Sequence, residues 1–234
     1  MSFLPFVLEE ADKLERVNDY TRDEAMRAQM SCLELIKLTA VLDKRFSAWL
    51  DVMKQATTPP VRSKPILTAS SGKSPFLSYW LDYSNDIDSF LWTIYWVLSL
   101  QLHQVIKQLK SRHATLMVEL GNSVAPLPQD LVNLGADKDT MDQYADNICA
   151  SLSPQIRASL GAQVNPFMAQ ESVAGVIGAQ WYYTSQGDSK KAQWCVDLLN
   201  TIAEESKLNL LGVKTHFLQG SGLGKENTGQ LSKT

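Results

Sequence analysis

Apolar residues along this chain return every three or four positions and almost nowhere every second one. From Asp23 to Lys54 there is neither Gly nor Pro. Leu33, Ile36, Ala40 and Phe46 recur there at helical spacing, with Asp43 in the same register, and Met26, Met30 and Leu42 do likewise. The pattern predicts one long helix with Thr21 as its N-cap. Pro59, Pro60, Pro65, Gly72 and Pro75 then mark Thr57 to Pro75 as an extended loop. A second helix is predicted from Ser84, with Ser84 or Asp86 as cap, to Lys110. Leu91, Tyr95, Leu98, Leu102 and Val105 form its stripe, widened by Phe90, Ile94 and Val97. So broad an apolar face implies a helix covered on most sides.

Gly121, Pro126 and Pro128 break the chain before a third helix near Asp139, with Met141, Tyr144, Ile148 and Leu152 on one face. Pro154 predicts a break at Ser153 and a restart toward Gly161. Asn165-Pro166 is a start signal for a fourth helix, which Val173, Val176, Ile177, Gln180 and Trp181 carry to Gly187. Asp188 or Ser189 caps a fifth, with Trp194, Leu198, Thr201 and Ile202 on one face, and a short sixth covers Leu210 to Leu218. The glycine-rich polar end cannot bury enough surface to fold. The fold class expected is all-α, an irregular domain of about six helices over residues 1–220, with a disordered tail at 221–234. No strand and no repeat is predicted.

Composition narrows the class. Lys plus Arg number 22 and Asp plus Glu 25, a formal charge of −3, whereas a domain gripping phosphates is usually basic on one surface. The densest basic stretch, Lys107, Lys110, Arg112 and His113, reads as cations near a helix C-terminus, lying in solvent. Three separated cysteines, Cys32, Cys149 and Cys195, suggest no disulfide framework and favour a reducing compartment. The first ten residues carry an apolar patch without a basic start or cleavage pattern, so no signal peptide is expected. The apolar run Phe90 to Leu102 is too short for a membrane span. A soluble intracellular protein is expected, with no membrane partner.

The chemistry-bearing motifs fail one by one. Ser70-Ser71-Gly72-Lys73-Ser74 ends like a phosphate-binding loop, but Leu67 stands where a glycine is required and no strand precedes it. His103, His113 and His216 do not pair at ligand spacing with each other or with a cysteine, and no metal is expected. Cys149 and Cys195 sit among apolar neighbours on helical faces, where cysteine is usually an inert small hydrophobe. Glu9/Glu10 and Glu204/Glu205 are sequence neighbours, which point about 100° apart on a helix, and make no joint carboxylate site. No catalytic residue and no cofactor are therefore assigned. The most informative cluster is aromatic: Tyr79, Trp80, Tyr83, Phe90, Trp92, Tyr95 and Trp96. It reads either as a helix-packing surface or as the wall of a pocket for an apolar small molecule. In the second case Trp92, Tyr95, Trp96 and His103 are the candidate ligand residues, with His103 otherwise a hydrogen-bonded core histidine.

Four stretches resemble one family, in the right order. Val41-Leu42-Asp43-Lys44-Arg45-Phe46-Ser47-Ala48-Trp49 resembles the leucine-aspartate…tryptophan helix of the regulatory half of fungal binuclear zinc-cluster transcription factors. Leu91-Trp92-Thr93-Ile94-Tyr95, with Leu100 and His103, is similar in part to the aromatic helix after that family's loop. Ala145-Asp146-Asn147-Ile148-Cys149-Ala150-Ser151-Leu152, followed by Pro154 and Leu160-Gly161, resembles its Asp-x-Ile-Cys-Ala-Ser segment. Gln193-Trp194-Cys195-Val196, Leu198-Leu199 and Ile202-Ala203 resemble its last core helix. The resemblance spans about Asp23 to Gly220.

It implies a helical domain that regulates transcription, often of secondary metabolism, by dimerising or by binding effectors and partner proteins. It also implies a nuclear location, with the cytoplasm as the alternative. The family's six-cysteine DNA-binding cluster is not among these residues, which makes direct sequence-specific DNA binding doubtful. The expected partner is a transcription factor, a co-regulator or a small-molecule effector. The rival expectation is a small-molecule-binding protein or cofactor-free cyclase or isomerase on the same scaffold.

Overall fold

In the computed structural model the described residues are 3–16, 21–63, 79–121, 126–159 and 166–206. The expected helix at Leu210 to Leu218, the tail at 221–234 and the restart near Gly161 lie outside them, as does most of the proline-rich loop. The fold is all-α. In chain order it comprises α1 (Phe3–Arg16), α2 (Arg22–Ala56), β1 (Val61–Ser63), β2 (Trp80–Asp82), α3 (Asp86–Leu120), α4 (Gln129–Val132), α5 (Lys138–Ser159), α6 (Pro166–Ser185) and α7 (Ser189–Ser206). Among the described residues no helix is long and apolar enough to cross a membrane.

α2 and α3 form the spine. Each has 35 residues, about 50 Å of helix at ~1.5 Å per residue. They run antiparallel, because Gln29 meets His113, Asp43 approaches His103, Trp49 meets Tyr95 and Thr57 meets Trp92. Thr21 caps α2 through a capping box with Glu24, as its sequence predicts. At α3 the cap is neither Ser84 nor Asp86. Asn85 lies between them in extended conformation, and its Oδ1 accepts from the Asp88 N–H at 2.9 Å. α3 also continues past Lys110 to Leu120, because Leu116 and Leu120, four apart, bury against Ala25, Ala28 and Cys32 of α2. Met26 and Met30, on the opposite side of α2, are 42% and 61% exposed rather than part of the buried stripe.

Three apolar clusters follow one another along this pair. Ala25, Ala28, Cys32, Leu116 and Leu120 make the smallest. The middle one joins Leu35, Ile36, Leu42, Phe46, Leu102, Val105, Ile106 and Leu109 to Leu4, Val7 and Ala11 of α1 and Leu131 of α4. α1 was not expected, although Leu4, Val7, Leu8 and Ala11 have helical spacing; Pro5 sits in its first turn, where proline is tolerated. The largest cluster gathers the start of α3, the end of α2, β2, α5, α6 and α7 around Ile148, Val176, Ala179, Tyr182 and Tyr183.

The two short strands correct the expectation of no strand. They pair antiparallel, Arg62 opposite Leu81, and β2 packs on α5. α5 begins one residue before Asp139, with Asp137 Oδ1 accepting from the Thr140 N–H at 2.8 Å. It does not break at Ser153. Pro154 deprives the Ala150 carbonyl of its helical donor, yet the turn before it is held by the burial of Ile148, Cys149, Ala150 and Ser151. α6 starts at Pro166 as its sequence predicts, but Tyr182 and Tyr183 are its buried aromatics while Trp181 is 37% exposed. Asp188 caps α7, its Oδ1 accepting from the Lys191 N–H.

α6 crosses the others at Gly175. A Cβ there would lie 3.1 Å from Cγ2 of Ile148 and 3.2 Å from Cγ2 of Val97, both stiff β-branched side chains. At Gly178 a Cβ meets nothing within 4 Å. Gly178→Ala is therefore expected to stabilise by about 0.8–1 kcal/mol, the helix-propensity gain. Gly175→Ala receives the same gain but suffers overpacking of about 1–3 kcal/mol and is expected to destabilise. Urea unfolding of both variants checks the opposite signs.

Candidate functional site

Three polar assemblies form where other elements meet α5 or the loop before it. The first surrounds His103 in the middle of α3. The backbone N–H of Ala136, in the loop before α5, donates to His103 Nδ1 at 3.1 Å. Nδ1 is therefore bare, and the neutral ring carries its proton on Nε2. Nε2 lies 3.7 Å from Asp43 Oδ1 on α2, beyond hydrogen-bond distance but close enough for charge to act. Tyr144 of α5 stacks on the imidazole, ring centroids 6.0 Å apart and planes 9° from parallel. Burial holds His103 below the ordinary imidazole range, partly opposed by Asp43. Burial pushes the Tyr144 hydroxyl up, helped by its hydrogen bond with Tyr95 and by the charge of Asp43.

Trp92, Tyr95, Trp96 and His103, the four candidate ligand residues, are all buried, between 5% and 8% exposed. They lie along one chain of rings rather than around one point. Trp96 tilts against Trp92 at 5.6 Å, Trp92 meets Tyr95 edge-on at 6.5 Å, and Tyr95 meets Tyr144 at 6.1 Å, which carries the series to His103. Trp49 of α2 joins at Tyr95, 5.8 Å away. Trp92 also spends its polar edge internally, Nε1 donating to Thr57 Oγ1 at 3.1 Å. Sequence reasoning missed Asp43, Tyr144 and Ala136 as companions of His103, because only tertiary contact joins those segments.

The second assembly centres on Asp146 of α5. Its Oδ1 accepts from the Tyr183 hydroxyl at 2.6 Å and from Lys191 Nζ at 2.8 Å, joining α5, α6 and α7. Lys191 also lies 5.0 Å above the Tyr183 ring. Four residues earlier, Asp142 accepts from Tyr182 at 2.6 Å and pairs with Lys138. Beneath Asp146 the Cys149 and Cys195 thiols face each other at 3.9 Å.

The third assembly seats the strand pair on α5. Gln143 donates to the Tyr79 hydroxyl and to Asn147 Oδ1, and accepts from Arg62, whose guanidinium lies 4.5 Å over the Tyr79 ring. Tyr83 hydrogen-bonds Ser151 at 2.6 Å, and burial pushes its hydroxyl up to about 12.

The basic stretch is not a solvated helix end. It lies inside α3, where Lys107 is exposed. Lys110 Nζ donates to the carbonyls of Val132 and Leu134, tying the α4 region to α3. His113 is 1% exposed, and its Nε2 accepts from the Gln29 side-chain amide at 3.0 Å. Among the described residues no group of three or more His, Cys, Asp and Glu is arranged to hold a metal ion.

No family model, no curated protein and no solved structure matches the chain.

The two buried histidines make a pH prediction. Burial lowers both His103 and His113 from 6.5. Because the folded values lie below the unfolded one, the unfolded chain binds protons first as pH falls. The stability these rings contribute is therefore present above about pH 6.5 and declines below it, toward their folded values. Protonating His113 also removes the lone pair that accepts from Gln29. The thermal midpoint is expected to drop between pH 7 and pH 5, with a shallower slope in His113→Gln. An identical slope in the variant would count against this role.

Proposed function

We propose that the chain is a non-enzymatic regulator of transcription, of the kind found in the regulatory half of fungal zinc-cluster factors. In this reading it acts by binding a protein partner or an effector rather than through a zinc cluster of its own. It serves secondary metabolism and works in the nucleus. One observation supports the reading most. The four stretches that resemble the family lie on α2, α3, α5 and α7, and their large or buried residues meet one another. Trp49 packs on Tyr95, and Cys149 meets Cys195. Ile148, Cys149, Ala150 and Ser151 are all 0% exposed. On this reading the short motifs, whose residues fall in the two larger apolar clusters, form a scaffold signature of packing positions.

A second reading rests on the His103 assembly. A neutral imidazole facing a carboxylate, beside two tyrosines, has the group types for orienting or protonating a small molecule. It favours a small-molecule-binding protein or a cofactor-free cyclase or isomerase. Deleting the gene in its source organism and reading transcripts and metabolites together separates the two. A change in transcripts of co-located biosynthetic genes is the outcome expected. Steady transcripts with an accumulating intermediate would reject regulation in favour of the second reading, and His103→Gln would then be the first variant to test for that intermediate.

A further inference from the structure

Cys149 on α5 and Cys195 on α7 are both 0% exposed, and their sulfurs lie 3.9 Å apart across a sequence separation of 46. Either thiol would pack alone as a small hydrophobe; their meeting is a separate fact. α7 rests chiefly on α6, and among the described residues this sulfur pair and the Lys191–Asp146 ion pair reach from it to α5. The third cysteine, Cys32, lies in the cluster formed with Leu116 and Leu120, away from both.

We propose that Cys149 and Cys195 are an oxidisable pair whose disulfide staples α7 to α5. The oxidant is a small disulfide such as oxidised glutathione. One protein thiolate attacks a sulfur of the oxidant and expels the first small thiolate, leaving a mixed disulfide. The second protein thiolate attacks the protein sulfur of that mixed disulfide and expels the other small thiolate. The protein loses two electrons and two protons, and the oxidant leaves as two thiols. One S–S bond breaks for each one formed. Closing 3.9 Å to a bond of about 2.05 Å asks each sulfur to move by roughly 1 Å.

Burial sets the kinetics. It pushes the Cys149 thiol well above its ordinary range, so little thiolate exists while α7 is seated. Exchange therefore proceeds when α7 lifts from α5, and the finished bond is shielded from reductants once α7 returns. A bond closing so long a loop also restricts the unfolded chain and stabilises the oxidised fold. None of this depends on the regulatory reading.

The test is disulfide mapping of the full chain, folded, after equilibration with excess oxidised glutathione, followed by alkylation in denaturant and peptide mass spectrometry. The expected product is monomeric, carries a Cys149–Cys195 linked peptide and leaves Cys32 alkylated. Cys32→Ser should give the same product. The oxidised form should show a higher urea midpoint than the reduced form, a difference that Cys195→Ser abolishes. Three free thiols at equilibrium, glutathione retained on both cysteines, or pairing through Cys32 would each overturn the proposal. The wild-type map decides the matter even where a serine variant fails to fold.

Discussion

Tyr95→Ala is expected to remove about 3–5 kcal/mol of folding stability, the range for truncating a buried aromatic side chain. The ring is 6% exposed and touches Trp49 from α2, Trp92 on its own helix and Tyr144 from α5. Its loss opens a void where α2, α3 and α5 meet. Folded domains hold only about 5–15 kcal/mol in all, so the variant should be marginal at room temperature. Tyr95→Phe keeps the ring and loses the hydroxyl contact with Tyr144, at a cost of about 1 kcal/mol. Val118→Ala, at a position 82% exposed, is the control and should change stability by no more than about 0.5 kcal/mol. Urea unfolding followed by circular dichroism measures all three. A Tyr95→Ala midpoint close to that of Val118→Ala would mean the ring series is not part of the folding core.

Asp146→Ala should have the second largest effect, about 2–3 kcal/mol. The hydroxyl of Tyr183, a residue 1% exposed, donates to this carboxylate at 2.6 Å, and hydrogen bonds to charged groups contribute about 1.5–3 kcal/mol. The ion pair with Lys191 adds less, because both side chains are about a quarter exposed and surface pairs are worth about 0–1 kcal/mol. Asp146→Asn keeps an acceptor for Tyr183 and gives up the charge, so it should cost roughly half as much. The damage should be local. Hydrogen exchange is expected to quicken along α7 in Asp146→Ala and stay slow in the middle of α3, since α7 is joined to α5 through this carboxylate and the sulfur pair. Uniform exchange over both helices would show that Asp146 supports the whole body rather than the seating of α7.

The elements legible in the sequence are those written by neighbours in the chain. Thr21 with Glu24 three residues on starts α2, Pro166 starts α6, and the long stretch without Gly or Pro makes one helix of α2. Such signals act within a turn or two, where local geometry alone decides the conformation. Local signals misled where a distant partner overruled them. Lys110 and His113 read as a solvated helix end, yet the carbonyls of Val132 and Leu134 and the amide of Gln29 take them up, and α3 runs on to Leu120. Pro154 read as a break, and burial of the turn before it carries α5 through.

By itself, then, the sequence determined an all-α fold, the starts of α2, α6 and α7 and the aromatic character of α3. Tertiary structure alone decided that Asp43 and Tyr144 flank His103, that Asp146 collects Tyr183 and Lys191, and that two distant cysteines face each other. The reason is physical. Periodicity tells which side of a helix is buried, but the rotation and crossing of the helices select which buried residues touch, and those are set by packing summed over the whole core.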